Sequence, residues 1–286
     1  MSTPPFRLIR PPHPASPLIA SSPHSGRTYP ADFVARTVLD ERVIRSSEDA
    51  FVDILLERAP DLGVPLIAAE MPRAYVDLNR SERELDPALV QGVAKAGINP
   101  RVNSGLGVIP RVVAQGRAIY RGKITRAEAE ARLEDVWRPY HGALVDLMEQ
   151  ACAAFGRAVL LDVHSMPHEA IEGAAPKGRT PEIVLGDRFG ASADSGLVDA
   201  VEGIFRGLGF RVARNAPFAG AFIAQAYGKP EQGRHVLQIE IDRALYMDER
   251  RLARSADFDA VRNLMTEALM RIRDVTLQDG QQVAAE

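Results

Sequence analysis

The sequence predicts an α/β protein: a single-domain three-layer α/β/α sandwich with a mixed sheet, spanning residues 1–286. Short apolar runs alternate with amphipathic stretches at helical spacing, the mark of helices packed on a largely parallel or mixed sheet. Two of the apolar runs end in a His-Ser dipeptide, at the position where open α/β sheets carry their ligand chemistry. No internal repeat and no linker divides the chain.

The first strand is expected at 17–21, running into Ser22-Pro23-His24-Ser25-Gly26. A second is expected at 64–69 (Val-Pro-Leu-Ile-Ala-Ala), preceded by a short helix through 51–58. The spacing of Leu133, Val136, Trp137, Tyr140, Leu144, Leu147 and Met148 predicts a helix over 126–155. Thr125 and Glu128 form a capping box at its start, Pro139 kinks it, and Gly156 ends it.

The central strand follows at 157–163 and leads into Asp162-Val163-His164-Ser165-Met166. Phe210-Arg211-Val212-Ala213 reads as another strand. In His235–Ile241, Leu237, Ile239 and Ile241 share one face while Gln238 and Glu240 point from the other. Ser255 is expected to cap a last helix whose stripe runs from Phe258 to Ile272. The stretch 92–110 reads as a glycine-rich loop; it lacks the Gly-Lys-Ser/Thr ending of a phosphate loop.

Composition narrows the function classes. A formal charge of −3 gives no basic footprint for nucleic acid or an anionic membrane. Cys152 is the only cysteine, which excludes an intrachain disulfide and a thiolate-rich metal site. No run approaches the roughly 20 apolar residues that cross a bilayer. The proline-rich N-terminus holds no apolar core of signal-peptide length, so a cytoplasmic protein is expected.

Six histidines occur, and His24 and His164 stand apart because each follows an apolar strand and precedes small or turn-forming residues. Two imidazoles at strand ends, joined by a carboxylate, make a common hydrolytic metal site with one position left for water.

The order of these elements resembles the zinc carboxypeptidase superfamily: an early His-Ser loop, Asn79-Arg80, a strand ending Asp-x-His-Ser, and a late strand with a glutamate. It is more closely similar to the N-formylglutamate amidohydrolase family. That likeness rests on Ser22–Arg27, Pro72–Arg80, Leu237–Ile241 and Arg243–Glu249, and covers residues 17 to about 250.

The resemblance implies a phosphorylase/hydrolase-like fold and a zinc ion, or another divalent metal, on His24, His164 and one carboxylate. The superfamily takes that carboxylate three residues after the first histidine, where this chain has Arg27. Asp49 is therefore favoured as the third ligand, with Glu48 the alternative. Glu240 becomes the general base. Asn79 and Arg80 read as a substrate-carboxylate clamp, since a guanidinium offers two parallel donors. Arg73 is a second carboxylate-binding candidate, and Arg111 the one for the oxyanion.

His141 and His235 are candidates for lining the pocket, and Asp162 either backs an imidazole or points to the opposite face. The implied reaction is removal of the formyl group from N-formyl-L-glutamate in histidine breakdown, on a small N-acyl amino acid. A related zinc deacylase or carboxypeptidase is the alternative, and a binding protein for acidic amino-acid derivatives is one of another class.

Overall fold

Seven strands form one mixed sheet in a computed structural model that describes residues 4–94, 97, 99–172 and 180–283. The strands are β1 (Phe6–Ile9), β2 (Leu18–Ser22), β3 (Leu66–Ala69), β4 (Ala158–Met166), β5 (Ile183–Gly186), β6 (Val212–Arg214) and β7 (Arg234–Asp242), in spatial order β1-β3-β2-β4-β7-β5-β6. The class is the expected α/β one. No helix among the described residues is long and apolar enough to cross a membrane.

Two strands of this sheet went unread in the sequence. Residues 183–186 (Ile-Val-Leu-Gly) are a four-residue apolar run, too short for periodicity to separate strand from buried helix. Phe6–Ile9 lies among prolines.

The chain packs as two compact units: Met1–Arg7, Pro23–Ala50 and Ala68–Ala143 in one, and Leu8–Ser22, Phe51–Ile67 and Leu144–Glu286 in the other. The second unit holds the centre of the sheet. β4 is buried along all nine residues and β7 along all but its first, as central parallel strands covered on both faces must be. β2 and β4 run parallel, as do β4 and β7, whereas β5 runs antiparallel to β7.

The register is what matters for chemistry. Asp162 lies opposite Gln238, and His164 opposite Glu240. Because side chains alternate faces with a period of two, those four project from the same side of the sheet.

The helix expected over 126–155 is continuous but not uniform. Thr125 Oγ1 accepts from the Glu128 N–H at 3.1 Å, as the capping pattern requires. The α-helix Arg126–Arg132 then widens into a π-helix, Leu133–Trp137, and resumes as Arg138–Phe155. The irregularity thus precedes Pro139, whose missing N–H cannot bond back into the preceding turn.

That wider turn has a consequence for packing. In a regular α-helix, residues five apart are rotated by about 140°, yet here Arg132 and Trp137 grip the same stretch of chain. Arg132 donates to the Tyr75 carbonyl (3.3 Å) and to the Tyr120 hydroxyl (2.7 Å), with its guanidinium carbon 4.2 Å from the Tyr75 ring centroid. Trp137 Nε1–H donates to the Arg80 carbonyl (2.9 Å). One turn on, His141 Nε2–H donates to the Leu78 carbonyl (2.9 Å), its ring 3.8 Å from that of Trp137. The π turn absorbs the extra residue that separates the first grip from the second.

Two local expectations change. The helix placed at 51–58 is only Val52–Leu55, because Phe51 adopts a left-handed conformation (φ 67°) just before it. The last helix begins at Phe258, and Ser255 forms the turn ahead of it, its Oγ accepting from the Asp257 N–H.

The turn after β2 tolerates no side chain at Gly26. A Cβ there would run into the Met71 carbonyl, next to Glu70, whose own carbonyl accepts the Thr28 N–H at 2.9 Å. Gly26→Ala should therefore cost about 1–3 kcal/mol of stability, as overpacking does; an unchanged denaturation midpoint would contradict this contact.

His141 supplies a pH test. Burial pulls its pKa down to about 3, outweighing the hydrogen bond to Leu78. Below its unfolded value of about 6.5 the unfolded chain takes up a proton that the folded chain refuses. Stability should thus fall with pH from about 6.5 towards 3, by about 1.4 kcal/mol per unit from this group. Urea titrations of the chelator-treated protein should show a shallower pH slope for His141→Gln, which keeps a donor for Leu78.

Candidate metal centre and active site

His24 follows β2 and is 1% exposed. Its Nε2 lies 2.8 Å from Asp77 Oδ1, and its Nδ1 lies 3.4 Å from Asp49 Oδ2. Asp77 also accepts from the Asn79 N–H (2.9 Å) and from Arg73 Nε (3.0 Å). Burial alone would raise the Asp77 pKa, but Arg73, His24 and Arg80 together hold it well below the usual carboxylate range. Asp77 is thus ionised, so it accepts and the His24 Nε2–H donates. That fixes the tautomer and leaves Nδ1 as the nitrogen for a metal.

The two acids proposed as alternatives separate cleanly. Glu48 accepts from the Tyr29 hydroxyl (2.6 Å) and from Arg45 Nε (3.0 Å). Burial raises the Glu48 pKa despite these donors, and burial with Glu48 beside it raises that of Tyr29. Asp49 turns the other way: its backbone N–H donates to the His24 carbonyl (3.0 Å) and its carboxylate faces His24. Neither acid caps the helix that follows, which has no side-chain cap.

The strand pair β4–β7 repeats this logic. Asp162 Oδ2 lies 2.9 Å from His164 Nε2, and Asp162 Oδ1 accepts from Ser21 Oγ (3.3 Å). Asp162 therefore backs the imidazole rather than pointing to the opposite face. Glu240, opposite His164, accepts at Oε1 from Gln238 Nε2 (2.7 Å).

One ligand atom from each of His24, Asp49 and His164 falls within 4.8 Å of the others, and all three residues are buried. Two imidazoles with carboxylates on their far nitrogens, plus one carboxylate, suit a divalent metal of zinc's kind.

The other predicted residues sit as follows. Arg80 is 7% exposed; its Nε donates to the Leu106 carbonyl (3.1 Å) and its Nη1 to the Asn79 carbonyl (2.7 Å). Its Nη2 has no hydrogen bond among the described residues, and burial lowers its pKa. Asn79 precedes it in the same buried segment, and Arg73 is held by Asp77. Arg111 spends Nε on Asp86 (2.8 Å) and Nη2 on the Asn103 carbonyl (3.3 Å).

His141 contacts the backbone of the 78–80 segment from the helix side. His235 lies five residues before Glu240, hence on the opposite face of β7, and bonds Asp194. His168 pairs with Asp242, which raises its pKa. Sequence reading gave no role to Asp77 or Gln238. The signal for Gln238 was present in the i, i+2 spacing it shares with Asp162-x-His164; nothing local marks Asp77 as the partner of a histidine 53 positions away.

Comparison with known proteins points to one family. The sequence profile of the family described as N-formylglutamate amidohydrolase matches residues 16–247. An N-formylglutamate deformylase of Pseudomonas aeruginosa is 33% identical over 262 residues, 88% of this chain and 91% of that protein. One of Pseudomonas putida is 30% identical over 240 residues, 82% of each. The crystal structure of an N-formylglutamate amidohydrolase from Ralstonia eutropha JMP134 superposes with a TM-score of 0.90 at 38% identity, covering 97% of this chain and 100% of that one. The gene product Atu2144 of Agrobacterium tumefaciens shares the fold alone, at 18% identity and a TM-score of 0.63. With the match spanning most of its length, the chain belongs to the N-formylglutamate amidohydrolase family.

Proposed function

We propose that this chain is a zinc-dependent amidohydrolase that hydrolyses N-formyl-L-glutamate to formate and glutamate, working in the cytoplasm in histidine breakdown. The observation that carries the reading is the convergence of His24, Asp49 and His164 to within 4.8 Å in a chain whose relatives are named for that reaction. A single N-formylglutamate amidohydrolase-like domain over 1–286 is supported by the family match at 16–247, which runs through both compact units.

In this reading His24, Asp49 and His164 hold the metal, with Asp77 and Asp162 fixing the imidazole tautomers. Bound zinc would supply Lewis acidity for the formyl carbonyl and lower the pKa of water from about 16 towards 7. Glu240 accepts a proton from the attacking water and delivers it to the departing amine. Arg80, with Nη2 uncommitted among the described residues, and Asn79 bind a glutamate carboxylate. Arg73 assists at the second carboxylate. Arg111, its guanidinium plane set by Asp86, is the donor for the oxyanion. His141 acts on substrate through the Leu78–Arg80 backbone that it holds.

Formate release should be faster from N-formylglutamate than from N-acetylglutamate or N-formylmethionine; equal rates on all three would overturn the substrate assignment. Glu240→Gln should retain one metal per chain while losing about 10²–10⁴-fold in kcat, whereas His164→Ala should lose the metal. Asp162→Asn and Asp77→Asn should each weaken metal affinity roughly 10–100-fold, measured by competition with a chromophoric chelator. Arg80→Lys should raise KM more than it lowers kcat, since Lys lacks the planar fork.

A further inference from the structure

Gln238 is 4% exposed and stands two residues before Glu240 on β7, so both side chains leave the same face of the strand. Its Oε1 accepts from the Ala221 N–H at 2.9 Å. A backbone N–H can only donate, so this contact assigns the amide: oxygen towards Ala221, nitrogen towards Glu240. Nε2 then donates to Glu240 Oε1 at 2.7 Å, a short, charge-assisted bond to a carboxylate.

The segment that orients the amide is itself fixed. Phe218 packs on the buried cluster Met166, Ile171 and Val184. The backbone of Phe218–Gly220 lies flat on Gly186, the residue opposite Gln238 on β5. A Cβ at Gly186 would come within 2.6 Å of the Gly220 nitrogen and 2.7 Å of the Ala219 carbonyl carbon. Gly220 takes φ +102°, which L side chains rarely adopt. The Arg188 N–H further ties down the Ala219 carbonyl at 2.8 Å.

We propose that Gln238 is the positioning residue of Glu240: held by Ala221, its amide engages Oε1 of that carboxylate and so sets the rotation of the carboxylate plane. This rests on the reading of Glu240 as the general base. A glutamate has three side-chain torsions and two equivalent oxygens, so an unsupported base spends much of its time in the wrong geometry. Gln238 does for Glu240 what Asp162 does for His164, from the same row of the sheet. Supporting groups of this kind separate a present site from a preorganised one.

The test uses the isosteric Gln238→Glu, which keeps volume but replaces the neutral amide donor with a second carboxyl against Glu240, and Gln238→Leu, which loses both polar ends. Each should lower kcat roughly 10–100-fold, the worth of a hydrogen bond to a charged group. KM should stay within about twofold and metal stoichiometry at one per chain, because Gln238 belongs neither to the proposed metal ligands nor to the proposed carboxylate clamp. On the Glu240→Gln background, Gln238→Glu should add no further loss, since the residue acts only through Glu240.

Wild-type kcat in Gln238→Glu, a loss that multiplies on the Glu240→Gln background, or a parallel loss of metal or fold in both variants would each overturn the proposal. Full activity in Glu240→Gln alone would instead remove the general-base reading, a separate and distinguishable result.

Discussion

The register of β4 against β7 is the constraint on which the site depends. With Asp162 opposite Gln238 and His164 opposite Glu240, four polar side chains leave a buried sheet from one face in two rows. A slip of one residue would send one strand's pair to the other face. The register is over-determined by hydrophobic burial, since Leu160, Leu161, Val163, Val236, Leu237, Ile239 and Ile241 are all at most 1% exposed. Polar chemistry can be kept at this strand end because the apolar remainder of both strands specifies the alignment.

A second device holds the proposed carboxylate clamp. The 75–80 segment is irregular, and irregular backbone is ordinarily imprecise; here one helix grips it at Tyr75, Leu78 and Arg80 through Arg132, His141 and Trp137. Those grips need residues five and then four apart on one side of a helix, which the π turn Leu133–Trp137 permits. The same segment carries Asp77, so the helix that steadies the clamp also steadies the partner of His24. The proposed clamp and the orientation of the His24 imidazole thus share one support.

The strand ends were legible in the sequence because an apolar run that stops at Asp-x-His-Ser or Pro-His-Ser states both burial and chemistry within ten residues. Asp49 was reachable only through the departure at Arg27, and its separation from Glu48 turns on Tyr29 and Arg45, partners at distances no local pattern encodes. Arg111 reads as a pocket arginine from its loop; the Asp86 carboxylate that holds its Nε lies 25 residues earlier and is brought there by loop packing that no local pattern encodes. The strand Ile183–Gly186 escaped because four apolar residues carry no period. Sequence therefore reported what sits at the ends of regular elements, and the long-range pairs that orient those groups needed the fold.

Those pairs concentrate negative charge. His24 has Asp77 on one nitrogen and Asp49 on the other side, while His164 has Asp162, and all five residues are buried. Arg73 and Arg80 offset Asp77, but Asp49 brings a further carboxylate against the same ring. Buried carboxylates are costly unless paired or coordinated to a metal. A divalent ion bound by His24, Asp49 and His164 would supply the missing positive charge. Any such ion binds the folded chain far better than the unfolded one, whose ligands are 25 and 115 residues apart in sequence, so its binding free energy adds to folding. The site thus concedes stability in the metal-free protein in exchange for donors already aimed at the ion, and the large apolar core around β4 and β7 is what lets the fold carry that concession.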